Sequence, residues 1–154
     1  MTPHARFHAL LHSADLLEKR LTERLAPLGV RPRQARILVA IDVIGPTSQT
    51  VLAREFDVTK GSMSTMIDRL LALGLVARRK SRTDKRGDVV TLSQAGRRMV
   101  MDIRTAWQDI DSMIEAMLGT EREHLLAELA SDLKTALGGK IPGEGSQKPS
   151  RDDP

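Results

Sequence analysis

Between Arg78 and Arg86 the chain reads RRKSRTDKR, six cations and one carboxylate in nine residues. Side chains of this kind at this density are the usual footprint of a surface that meets a polyanion; a solvated basic loop is the plainer alternative. A second cluster carries metal-ligand chemistry. His4, His8 and His12 recur at steps of four, along one helix ridge, and two imidazoles at that spacing can share a zinc ion. Asp15 is the nearest further ligand and no cysteine completes a set, so the ridge reads better as solvated or as a dimer edge, and no metal site is expected. His124 stands alone. The absence of Cys removes disulfides, thiolate zinc sites, a Cys nucleophile and thiol redox sensing. There is no Gly-rich phosphate loop, no paired-carboxylate motif and no usable Ser–His–Asp set, so no catalytic residue is assigned, no cofactor is expected, and the chain reads as a non-enzyme.

The charge is unevenly placed. Residues 54–98 hold 11 basic and 5 acidic side chains, whereas residues 99–137 hold 3 and 8. A net charge of +4 therefore conceals a basic middle and an acidic helical stretch. At 154 residues the chain is about one domain, long enough for a core without staples. Aromatic residues make up 2% of it, too few for an ordinary strand-rich fold. No apolar run approaches the roughly 18 residues of a membrane span. The opening MTPHARFHALLHSADLLEKR is too broken by charge for a signal-peptide core. A cytoplasmic location without membrane contact is expected.

The elements that must position the basic run follow from periodicity. Thr2-Pro3 opens a first helix whose stripe runs Phe7, Leu10, Leu11, Ala14, Leu17, Leu21, Leu25, Leu28, ending at Gly29. Pro32 starts a second helix carried by Ala35, Ile37, Leu38, Ile41 and Val43, stopped by Gly45-Pro46. Ser48 caps a short helix to Phe56, and Thr59 caps another that runs to Leu73 and ends at Gly74. Two helices joined by a three-residue turn have helix-turn-helix spacing. Val76–Ser81 and Asp88–Leu92 then read as short strands around the turn Thr83–Gly87, a hairpin that must lean on the helices. Ser93 caps a long helix with Val100, Ile103, Trp107, Ile110, Ile114 and Met117 on one stripe. Gly119 breaks it, and Thr120 with Glu123 has capping-box spacing for a last helix bearing Leu126, Leu129, Leu133 and Leu137. From Gly138 to Pro154 the composition is that of a disordered tail. The expected class is mainly α with a small two-stranded β wing. The outer helices carry more apolar stripe than the small lobe can cover, which points to subunit pairing.

In this order and spacing, Gln49-x-x-Leu52-Ala53, the run VTKGSMSTMIDRLLALGLV (58–76), Arg78, Asp84-Lys85-Arg86 and Leu92-Ser93-x-x-Gly96 resemble the MarR family of bacterial transcription regulators. Ser93 replaces the family's usual Thr and keeps the cap. The resemblance implies a homodimer, with residues 1–30 and 93–137 as dimerisation platform, 31–92 as winged helix-turn-helix lobe, and 138–154 as tail. It implies binding to pseudo-palindromic double-stranded DNA, usually as a repressor, with release by a small phenolic or carboxylate effector. The competing class is a winged-helix docking module that binds protein instead of DNA.

With Met63, Ile67, Leu70 and Leu71 turned to the core, Lys60, Gly61, Ser62, Thr65 and Arg69 face outward, toward a major groove wide enough for the helix. The resemblance places base contacts at Gly61, Ser62 and Thr65, without the Arg that many relatives carry at the position of Thr65. Lys60 and Arg69 read as phosphate contacts, as do Arg82, Lys85 and Ser48, and Asp68 as a surface acid or local ion-pair partner. Arg86 is the expected minor-groove side chain of the wing. By resemblance, Asp84 pairs with Arg78 to hold the wing, and an effector cleft is lined by Leu11, Ile37, Ile41, Met66, Met99, Arg104 and Trp107.

Overall fold

The computed structural model describes residues 5–82 and 87–143. Its element order is α1 (Phe7–Leu25), a 3-10 turn (Ala26–Leu28), α2 (Pro32–Ile44), α3 (Gln49–Glu55), α4 (Lys60–Ala72), β1 (Val76–Lys80), β2 (Asp88–Leu92), α5 (Gln94–Leu118) and α6 (Thr120–Ala136). The expected class holds: helices dominate, and β1 and β2 form one antiparallel pair with Val76 opposite Leu92 and Lys80 opposite Asp88.

Caps fix the helix starts. Ser48 Oγ accepts from the Val51 N–H (3.2 Å), Thr59 Oγ1 from the Ser62 N–H (3.1 Å) and Ser93 Oγ from the Gly96 N–H (2.9 Å). Each serves one of the N-terminal amides that a helix cannot pair internally. The end of α4 is a Schellman turn. Gly74 takes φ +70°, the Leu75 N–H donates to the Leu70 carbonyl (3.1 Å), and the Gly74 N–H donates to that of Leu71 (2.9 Å). That turn brings Leu75 into the core and delivers the chain directly to β1.

The core lies where α2, α3, α4, β2 and the first half of α5 meet. Ile37, Leu38, Ile41, Leu52, Met63, Ile67, Leu70, Val90 and Ile103 are each all but inaccessible. The two ends of the chain are different. Leu25 is the buried residue of α1, and α6 has none. Phe7, Leu10 and Leu11 on α1, and Leu126, Leu129, Leu133 and Leu137 on α6, stand exposed.

Four details depart from the expectations. Val43, assigned to the apolar stripe of α2, is exposed. Thr2-Pro3 lies outside the described residues, and α1 begins at Phe7 with Arg6 at its cap position. The capping box of Thr120 and Glu123 is absent. Gly119, at φ +83°, ends α5 and also caps α6, so Thr120 is already inside the helix and its hydroxyl donates to Glu115 Oε1 (2.6 Å). A positive φ of this kind suits a residue without a Cβ. A short strand contact was also missed: Thr47 pairs with Val90 through both backbone bonds (3.1 and 2.7 Å), giving β2 a second neighbour. Of the expected tail, residues 138–143 are described and run against α3, where Lys140 pairs with Glu55 (3.5 Å); residues 144–154 lie outside the described part.

Candidate nucleic-acid interface

The candidate surface starts from α4. Its apolar residues Met63, Ile67 and Leu70 point into the core, which leaves Lys60, Gly61, Ser62, Thr65 and Arg69 exposed together, as periodicity requires. The Thr65 hydroxyl donates to the Gly61 carbonyl (3.2 Å). Its proton is engaged inside the helix, so an acceptor lone pair and the methyl group remain for a partner. A Cβ built on Gly61 meets nothing within 4 Å, so no contact within the chain requires glycine there.

The hairpin stands beside this helix. Arg78, Arg79 and Lys80 on β1 are exposed, as is Arg82 just beyond it. Asp68 ties the two elements: its Oδ1 accepts from Arg78 Nη2 at 2.9 Å. Asp68 is therefore an ion-pair partner of the hairpin. Both groups are substantially exposed, so the pair contributes at most about 1 kcal/mol to stability. Its effect is geometric, since it sets the position of the base of the hairpin relative to α4. Asp84, the partner expected for Arg78, lies outside the described residues, and so do Lys85 and Arg86. Ser48 is half-buried and its oxygen serves the cap of α3.

The lobe is fastened to the long helix by the Leu92-Ser93-x-x-Gly96 segment. Ser93 N–H donates to the Leu75 carbonyl (3.0 Å), and Ser93 Oγ donates to the Gly74 carbonyl (2.6 Å) while accepting from Gly96. A Cβ on Gly96 would stand 1.9 Å from the Leu75 oxygen, so α5 crosses the α4–β1 turn at a distance open to glycine alone. The motif is thus a joint between the reading helix and the platform. The sequence showed the cap; the close crossing is visible in the structure.

The chain therefore carries a helix-turn-helix, a basic antiparallel hairpin and a glycine joint in one order. The MarR family profile matches residues 28–87. YwoH of Bacillus subtilis, described as an uncharacterized HTH-type transcriptional regulator, is 30% identical over 130 residues, 84% of this chain and 86% of that protein. The chain belongs to the MarR family. The multiple antibiotic resistance protein MarR of Escherichia coli is 32% identical over 88 residues, so this chain spans about 61% of that relative. The crystal structure of a mutant E. coli MarR complexed with operator DNA superposes with a TM-score of 0.72 at 28% identity, covering 85% of this chain and 93% of that one. The MarR family is one of transcriptional regulators.

Five of the seven residues expected to line an effector cleft belong to the core or pack against it. Ile37 and Ile41 are core; Met99 and Trp107 pack half-buried against it. Leu11 stands on the exposed face of α1, and Arg104 pairs with Asp42 (2.8 Å). Met66 alone of the seven borders a groove on the α4 surface, between α2 and α4, with Arg31, Arg33, Ser62, Thr65 and Arg69. Arg31 and Arg33 were not among the expected site residues. Nothing local in Arg31-Pro32-Arg33 shows that the start of α2 comes to lie beside α4. On the histidine ridge, His8 and His12 are exposed on α1, and His4 lies outside the described residues. Among the described residues no helix is long and apolar enough to cross a membrane.

Proposed function

We propose that two copies of this chain bind duplex DNA and repress transcription by occupying it. The observation that carries the reading is the outer face of α4, where Lys60, Ser62, Thr65 and Arg69 are exposed beside the basic strand β1. An α-helix fits the major groove, where hydroxyls and a methyl group can read base edges while cations hold phosphates. Ser62 and the Thr65 methyl are the readers, with Thr65 best suited to the apolar edge of thymine. Lys60, Arg69 and Arg82 position the lobe on the backbone, and Arg86 enters the minor groove from the wing. A protein-docking face at this place would be chiefly apolar, whereas here the outward residues are mostly polar or cationic until Leu73, the exposed leucine at the end of the helix.

Dimerisation is supported by the bare leucines of α1 and α6. Covering each half-exposed leucine is worth about 1 kcal/mol, and a second copy offers the matching surface. Two lobes then present their helices about one DNA turn, roughly 34 Å, apart. Control by a small molecule rests on the family resemblance and adds nothing to the DNA reading.

The test is selection of bound sequences from random duplexes, followed by titration of the selected site at several salt concentrations. Neutralising ~6–10 phosphates per dimer makes the affinity fall by roughly 10³–10⁵ between 50 and 200 mM salt. A flat salt response would overturn the proposal. Arg86→Ala is expected to weaken binding strongly, and retained affinity would remove the wing from the interface.

A further inference from the structure

On the reading face, the groove between α2 and α4 brings together arginines from separate elements. Arg31 and Arg33 come from the start of α2 and Arg69 from α4, with the hydroxyls of Ser62 and Thr65 on the wall between them. No carboxylate lines the groove, and among the described residues none of these three arginines makes an ion pair. The groove between α2, α3 and the 138–143 stretch provides the contrast. There Arg33, Arg36 and Arg54 sit with Glu55 and Asp57; Glu55 pairs with Lys140 and the Arg36 guanidinium lies 5.7 Å over the Phe56 ring. The second groove sets two carboxylates among its four cations, and Arg33 belongs to both grooves; the first holds three arginines and no carboxylate.

We infer that Arg31 and Arg33, with Arg69, form a phosphate grip beside the reading helix, so that the start of α2 is part of the DNA interface. The inference rests on the DNA reading above and deepens it. A helix with its side chains is about 10–12 Å across and the major groove about 12 Å wide, so a phosphate row runs close along each flank of an inserted helix. One flank of α4 faces β1, where Arg78 is held by Asp68. The other faces the start of α2, where Arg31 and Arg33 meet the row on that side. A guanidinium fork engages two phosphate oxygens at once, and the hydroxyls of Ser62 and Thr65 stand close enough to take part through the same groove. Such contacts set the depth and tilt of α4 in the groove. They carry no sequence information, because every base pair presents the same backbone.

The experiment compares the parent, R31Q/R33Q, R31K/R33K and Arg36→Gln on two duplexes of equal length, one selected by the parent from random sequence and one scrambled. Log affinity is measured against log salt concentration, and thermal melting confirms that each variant is folded. Each phosphate contact contributes about 0.9 to the slope, so removing both arginines from each subunit lowers a dimer's slope by about 2 where the pair shares one phosphate and by about 4 where each holds its own. R31Q/R33Q is expected to show that loss, with the same fold-weakening on both duplexes, while R31K/R33K keeps most of the slope and Arg36→Gln keeps all of it. An unchanged slope in R31Q/R33Q overturns the grip, as does an equal loss in Arg36→Gln or a loss confined to the selected duplex. A parent that shows no salt-dependent binding overturns the DNA reading itself, and the grip with it.

Discussion

Replacing Gly96 by alanine sets two physical effects against each other. Helix propensity favours alanine by up to about 1 kcal/mol in a helix interior. The crossing opposes it, because the new Cβ would lie 1.9 Å from the Leu75 carbonyl oxygen, where real Cβ contacts stay beyond 3.0 Å. The obstacle is backbone, so it cannot rotate away, and α5 must move off the α4–β1 turn by about 1 Å. That displacement stretches the bonds from Ser93 to Leu75 (3.0 Å) and Gly74 (2.6 Å). Two hydrogen bonds at about 1 kcal/mol each, and an overpacking cost of roughly 1–3 kcal/mol, outweigh the propensity gain. The expected net loss is about 2–4 kcal/mol. Urea unfolding at one fixed protein concentration measures it, with Gly61→Ala as the reference, because a Cβ there meets nothing within 4 Å. Gly61→Ala is expected to leave stability unchanged or raise it by a few tenths to about 1 kcal/mol. If both alanines shift stability in the same direction, the argument from the crossing is wrong.

Three further outcomes follow from local geometry. Ser93→Ala removes the α5 cap and the donor to Gly74, and should cost about 1–2 kcal/mol in the same unfolding assay. Asp57 sits at φ +51° in the turn between α3 and α4, a region an Asp tolerates and a β-branched side chain does not, so Asp57→Val should cost about 1–2 kcal/mol while Asp57→Gly costs nothing. Asp68→Asn breaks an exposed pair with Arg78 and should change the unfolding free energy by less than about 1 kcal/mol; a larger loss would mean that the pair holds more than the base of the hairpin.

The parts legible in the sequence were those set by short-range rules. Ser48, Thr59 and Ser93 each precede an apolar period, and all three cap helices with their side-chain oxygens. The outward residues of α4 followed from the inward ones, because a helix has one period. What escaped was set by tertiary approach or by a single residue. One pair, Thr47 with Val90, makes no alternation to detect. Gly119 ended one helix and began the next in the same position, where the capping-box pattern placed the start one residue later. Arg31 and Arg33 lie about thirty residues from Ser62 and Thr65 in the chain and share a groove with them only once α2 has packed on α4.

The bare leucines of α6 bear on how the protein responds to its own abundance. The described residues cover none of them fully, and shelter supplied by an identical chain varies with dose. Where most chains are unpaired, halving the total protein cuts the paired species by about fourfold. Occupancy of any target that admits only pairs then rises with the square of expression, and a modest change in synthesis acts as a steep dial.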